Sequence, residues 1–154
     1  MTTFIGEFLC KIDVKGRLVL PAGLKKQLSQ SAQDRFVVKK DIFEQCLVLF
    51  PMDEWEHQNK LIKSKLNPYN KEHNKLLRGF FKGAAEVNLD ANNRILIPKR
   101  LLDKVEVEAE VYLIGQNSKI EIWSKKVYEA TIDDDDDFAE LAEKILGNQT
   151  FTDL

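Results

Sequence analysis

Residues 4–24 read F-I-G-E-F-L-C-K-I-D-V-K-G-R-L-V-L-P-A-G-L, and residues 81–101 read F-K-G-A-A-E-V-N-L-D-A-N-N-R-I-L-I-P-K-R-L. The second stretch repeats the first at an offset of 77, without a gap. Identical pairs are Phe4/Phe81, Gly6/Gly83, Asp13/Asp90, Arg17/Arg94, Pro21/Pro98 and Leu24/Leu101. Apolar character is kept at Ile12/Leu89, Leu18/Ile95, Val19/Leu96 and Leu20/Ile97. This spacing marks an internal duplication. Cys46–Pro51 is echoed by Lys119–Ser124 at an offset of 73, so the first copy carries four extra residues in the intervening loop.

Each copy reads as strand, tight turn, strand, short helix, strand, strand, helix. Val14-Lys15-Gly16 is a three-residue hairpin loop, a class built from a type I turn followed by a left-handed residue. Gly16 fills that position in the first copy and Asn93 in the second; Asn is among the few other residues that tolerate positive φ. Pro21 and Pro98 stand where a helix begins, in the first-turn position that proline accepts. The short helices are predicted over Ala22–Ser29 and Lys99–Val105, and the next strands over Phe36–Lys40 and Val111–Ile114. Asp53 with Glu56 three residues on reads as a capping box. That helix runs through Leu61, Ile62 and Leu66 and breaks at Asn67-Pro68, and a second follows over about Lys71–Phe80. Ser124 is placed to cap a helix through Val127 and Tyr128.

The predicted fold class is α+β, mainly β. Residues 4–55 form the first repeat, 56–80 a helical linker, 81–126 the second repeat, and 127–154 a helical and acidic tail. With 154 residues, 44% apolar and 31% charged, the chain is of ordinary globular composition, neither disordered nor membrane-spanning. It shows no basic-then-apolar leader, and export is not expected. Cys10 and Cys46 lie in strand-like apolar runs and read as buried thiols of a reducing compartment. The net charge of −2 hides an asymmetry: residues 131–154 carry one base and eight acids, whereas residues 1–130 carry 22 bases and 17 acids. The five-aspartate run Asp133–Asp137 reads as a solvated hinge or an anionic helix start, ahead of an amphipathic stripe of Phe138, Leu141 and Ile145 ending at Gly147. Such a tail can cover a basic face of its own or a neighbouring chain.

The polar residues kept in both hairpins are Asp13/Asp90 and Arg17/Arg94. An aspartate opening a turn accepts N–H bonds from residues further on, and the arginine of the returning strand can pair with it. On that reading each motif is a stapled hairpin. The second reading concerns the tips: Arg17 and Lys15 project from one turn, Arg94 from the other, and Lys11 precedes the first. A guanidinium fork on a rigid two-stranded ribbon suits phosphate oxygens and guanine edges in a major groove. A catalytic aspartate dyad is disfavoured, because each carboxylate has an arginine four residues away to hold it ionised. His57 and His73 lie on polar helical segments without companion ligands, and no phosphate loop or nucleophile elbow is present. No enzyme, metal, cofactor or small-molecule substrate is therefore expected. An assembly protein whose basic tips meet an acidic partner is the alternative.

Two copies of Asp-x-x-x-Arg, each followed by three apolar residues and proline, resemble the MraZ family of bacterial transcriptional regulators. So do Phe43–Pro51, Trp55 and Arg78–Ala84, and the likeness spans about residues 3–130. The resemblance implies two SpoVT-AbrB-type repeats whose swapped hairpins interlock into a small pseudo-dimeric β-barrel with flanking short helices. It also implies a ring-shaped homo-oligomer, an octamer or dodecamer. It implies cytoplasmic, nucleoid-associated binding to double-stranded DNA, at short direct repeats upstream of the division and cell-wall gene cluster and at the regulator's own promoter. Asp13, Lys15, Arg17, Asp90 and Arg94 are the matching positions. The family's second turn commonly has Gly before Arg, and Asn93 stands there in this sequence. An antitoxin-like member of the same superfamily is a closer rival, but such chains usually carry one repeat.

Overall fold

The structure, a computed structural model, describes residues 3–131 and 135–147. In the first repeat, β1 (Glu7–Lys11) and β2 (Arg17–Val19) flank the first turn, then α1 (Ala22–Lys25), a 3-10 turn (Gln30–Ala32), β3 (Arg35–Lys40), β4 (Leu47–Pro51) and α2 (Met52–Lys65) follow. After α3 (Lys71–Phe81) the order recurs as β5 (Ala85–Asn88), β6 (Arg94–Leu96), α4 (Lys99–Lys104), β7 (Glu110–Gln116), β8 (Lys119–Ser124) and α5 (Lys125–Ala130). The described chain ends in α6 (Asp135–Leu146) and Gly147.

The strands pair mostly between repeats. β1 of the first repeat lies against β7 of the second, β5 of the second against β3 of the first, and β4 against β8. The result is a six-stranded antiparallel sheet in the order β1-β7-β8-β4-β3-β5. β2 and β6 leave it to form a ribbon of their own. This is the expected pseudo-dimer of exchanged hairpins within one chain. The ladder stays open where a closed barrel was expected. Among the described residues β1 and β2 share no ladder, and between them stands an isolated Ile12–Leu18 bridge, because the tight turn sends β2 across to β6.

One core fills the space between sheet, ribbon and the short helices. Phe36, Val38, Leu47, Leu49, Val111, Leu113, Ile120 and Ile122 come from the sheet, Leu18 and Ile95 from the ribbon, and Leu24 and Leu101 from α1 and α4. These alternate residues point to one face, as the two-residue period of a strand requires. A second cluster lies on the opposite face, where Val37, Val48 and Phe50 meet Met52, Trp55 and Phe80 of the α2–α3 hairpin. β3 and β4 are covered on both faces, and their apolar residues run without interruption. β7, with no such double cover, alternates.

Several local expectations are corrected. Asp53 is not the cap of α2, which begins at Met52 behind Pro51. The Asp53 carboxylate instead accepts the hydroxyls of Ser29 (2.9 Å) and Ser31 (2.6 Å), tying the 3-10 turn to α2. Ser29 also accepts the Ser31 N–H, and this bend ends the helix predicted to reach it. Pro21 and Pro98 sit one residue before the first helical position. Cys46 is buried but Cys10 only half-buried, and both are free thiols. Ser124 does cap α5, accepting from the Val127 N–H. Phe138, Leu141 and Ile145 are exposed on α6, and the beginning of the aspartate run lies outside the described residues.

The left-handed turn residues lock the repeats together. Gly16 has φ of +91° and Asn93 +60°. The Gly16 carbonyl accepts the Ile97 N–H (2.8 Å) and the Asn93 carbonyl accepts the Leu20 N–H (2.8 Å), each across the repeat boundary. A Cβ on Gly16 would lie 2.5 Å from the Ile97 carbonyl oxygen. Gly16→Ala is therefore expected to cost roughly 1–3 kcal/mol in denaturant unfolding, and Asn93→Gly less than about 1 kcal/mol. Equal losses at the two positions would contradict this account of the turns.

Candidate nucleic-acid interface

The site is built from the two turns. Asp13 Oδ1 accepts the backbone N–H groups of Lys15 (3.0 Å) and Arg17 (2.9 Å), while Oδ2 accepts Arg17 Nε–H (2.8 Å). Asp90 repeats this with Asn92 (2.8 Å), Arg94 (2.8 Å) and Arg94 Nε–H (3.0 Å). Each aspartate thus uses one oxygen to shape the turn and the other to hold the arginine. The Arg17 backbone N–H, with help from its guanidinium and the Lys15 N–H, holds the Asp13 carboxyl below the usual range against the opposing cost of desolvation. The Arg94 backbone N–H does the same for Asp90.

Only Nε of each arginine is engaged; neither pair of Nη groups has a partner among the described residues. The side chains of Arg17 and Arg94 are 35% and 36% exposed. The ribbon register sets Arg17 opposite Leu96 and Val19 opposite Arg94. Because Leu18 and Ile95 point into the core, Arg17, Val19, Arg94 and Leu96 share the outer face of the ribbon. Two arginines thus lie diagonally across one small face, with two exposed aliphatic side chains between them.

The turns differ in what they add to that face. The first presents Val14 and Lys15, both exposed; the second presents Ala91 and Asn92 and carries no cation. Lys11 is exposed on β1, paired in register with Glu110, and belongs to the large sheet with Glu7 and Leu9 rather than to the ribbon. Val19 and Leu96 were not singled out as site residues. Their place follows from pairing between repeats, for which a sequence of two equivalent hairpins carries no local sign.

A chain of two exchanged hairpins, with an arginine-bearing ribbon at their crossing, is a tandem-repeat member of the swapped-hairpin class. The family model described as "MraZ protein, putative antitoxin-like" matches it twice, over residues 3–79 and 80–148. A protein of Christiangramia forsetii named "Transcriptional regulator MraZ" is 45% identical over 154 residues, covering 98% of this chain and 97% of its own. Its namesake in Flavobacterium psychrophilum is 45% identical over 149 residues, covering 96% and 94%. The chain belongs to the MraZ family. A solved structure, "The solution structure of PHS018 from pyrococcus horikoshii", is 14% identical over 80% of this chain and 97% of its own, at a TM-score of 0.35 too low to add to the fold assignment.

The staples make a statement about acid. A carboxyl held below its ordinary value of 3.8 binds fewer protons folded than unfolded. Its stabilisation is complete above that value and lost as pH falls through the folded-state value. Chemical unfolding between pH 6 and pH 2.5 should therefore show a steeper acid loss in the wild type than in the Asp13→Asn/Asp90→Asn double variant. Parallel curves would mean that the two carboxylates carry no linkage.

Proposed function

We propose that this chain is a sequence-specific DNA-binding transcriptional regulator. The observation that carries this reading is the pair of arginines on one ribbon face, each fixed at Nε by its own aspartate and with Nη groups that have no partner among the described residues. A stapled guanidinium has already lost much of its rotamer freedom, so less entropy remains to be lost when it grips a phosphate or a guanine edge. A two-stranded antiparallel ribbon has the width of a major groove, and Val19 and Leu96 offer apolar contact for thymine methyl groups. The names of the curated relatives agree with this reading.

On this proposal the DNA consists of short direct repeats upstream of the division and cell-wall gene cluster, including the chain's own promoter. The protein works in the cytoplasm, associated with the nucleoid. Among the described residues no helix is long and apolar enough to cross a membrane. One ribbon offers few cations, namely Arg17, Arg94 and Lys15, which is too little for tight binding by a single chain. A homo-oligomeric ring of eight or twelve copies resolves this, since tandem sites engaged together raise apparent affinity by about 10²–10⁴. Each aspartate is held by an arginine and two backbone N–H groups, an environment unsuited to acid–base catalysis.

Arg17→Ala should cost about 1–3 kcal/mol of affinity for the chain's own upstream fragment, read by titration at fixed salt. If Arg17 meets only phosphate, specific and non-specific affinity fall together and the salt slope drops by about one unit. Unchanged affinity in a variant that melts like the wild type would refute a DNA role for the ribbon. Cutting the operator from several repeats to one should lower affinity steeply, whereas equal binding to one and to four would remove the case for a multivalent ring.

A further inference from the structure

Lys39 is the anomaly of the second core cluster. It lies one residue from the end of β3, opposite Val48, on the sheet face that α2 and α3 cover, and is only 4% exposed. Its Nζ stands 3.6 Å from the centroid of the Phe80 ring. It has no hydrogen bond or ion pair among the described residues, and its Nζ is not among the side-chain atoms wholly shut off from solvent. Buried charges are ordinarily paired, and methionine or leucine would fill this place at less cost. Burial pushes the Lys39 ammonium down to about 8, with Asp41 opposing the shift. Asp41 makes no ion pair with it, and its Oδ2 accepts the N–H groups of Phe43 (3.0 Å) and Glu44 (2.9 Å).

The side chain lines a cavity of about 430 Å³ between the sheet, the α2–α3 hairpin and the β7–β8 turn. Lys119 enters the same cavity and likewise has no ion pair among the described residues. Gln58, Asn117 and Ser118 bring amide and hydroxyl groups, and Phe43, 88% exposed, brings an apolar ring. Lys40 also borders it, but its Nζ donates to the carbonyls of Asp41 and Glu44 and holds the loop. The cavity has the volume of a small-ligand site. Its cations, Lys39, Lys40 and Lys119, outnumber its one carboxylate, Asp41, and lysine ammonium groups on such a lining suit a phosphoryl group.

We propose that this cavity is a binding site for a small organic phosphate, the phosphoryl group seated between Lys39 and Lys119 and the organic part against Phe43. Neither the arginine ribbon nor DNA is part of the site, and its test needs no DNA. Sequence reading expected no small-molecule site, since a lysine inside an apolar strand gives no hint of an opening beside it.

The test uses the full chain carrying Trp123→Phe, which leaves Trp55 as the remaining indole of two. Trp55 stacks on Phe80 with ring centroids 5.5 Å apart, so its fluorescence reads the ring beneath Lys39. Adenosine 5′-monophosphate, adenosine and inorganic phosphate are each titrated at constant ionic strength, with thermal melting in parallel. The nucleotide should give a saturable change and raise the melting temperature, inorganic phosphate should bind more weakly, and adenosine should do neither. Lys39→Met, which keeps an unbranched chain on Phe80, should melt no lower than the parent and weaken the nucleotide at least tenfold. Lys119→Ala should weaken it by a smaller factor. No saturable response to either phosphate, or equal binding by parent and Lys39→Met, would overturn the proposal.

Discussion

Neither repeat owns a sheet. Among the described residues the ladders within a repeat are β3 with β4 and β7 with β8; β1, β2, β5 and β6 find their partners across the repeat boundary. The exchange is held at its crossing by two backbone bonds, from Ile97 to the Gly16 carbonyl and from Leu20 to the Asn93 carbonyl. Both carbonyls belong to left-handed residues, and both turns are closed by an aspartate. The rest of the architecture depends on this crossing, because it aligns Leu18 and Ile95 over the core and leaves their neighbours outside.

The same residues therefore serve structure and site. An arginine free of its aspartate would sample many rotamers; one bonded at Nε keeps its outer edge for another anion. The carboxylate costs some positive potential at the tip and returns geometric definition. The two turns share this backbone chemistry but not their charge, since Lys15 has no cationic counterpart at Asn92. The near two-fold symmetry of the fold thus presents an asymmetric face.

The duplication was legible because its determinants are local. A carboxylate opening the turn, a residue tolerant of positive φ, an arginine four residues on and a proline before a helix each act within a few positions of themselves. The two hairpin turns, the Ser124 cap and the break at Asn67-Pro68 followed from such rules. Asp53 misled because its acceptor capacity goes to Ser29 and Ser31, more than twenty residues earlier, which no local pattern reveals. The separate β2–β6 ribbon, the shared face of Arg17 and Arg94, and the opening beside Lys39 all arise from contacts between distant segments. A lysine in β3 reads alike whether it meets water, a carboxylate or the face of Phe80.

The central claim is that the outer face of the β2–β6 ribbon is the surface that meets a duplex. Its most direct test places a photoreactive benzophenone side chain singly at Val19, Leu96 or Leu9 in the full-length protein. Each variant is irradiated on a labelled fragment of the chain's own upstream region. Val19 and Leu96 lie on the ribbon and should cross-link, while Leu9, exposed on the outer side of β1, should not. Cross-linking from Leu9 with none from Val19 or Leu96, on a fragment that all three variants bind, would put the DNA on another face and contradict the account.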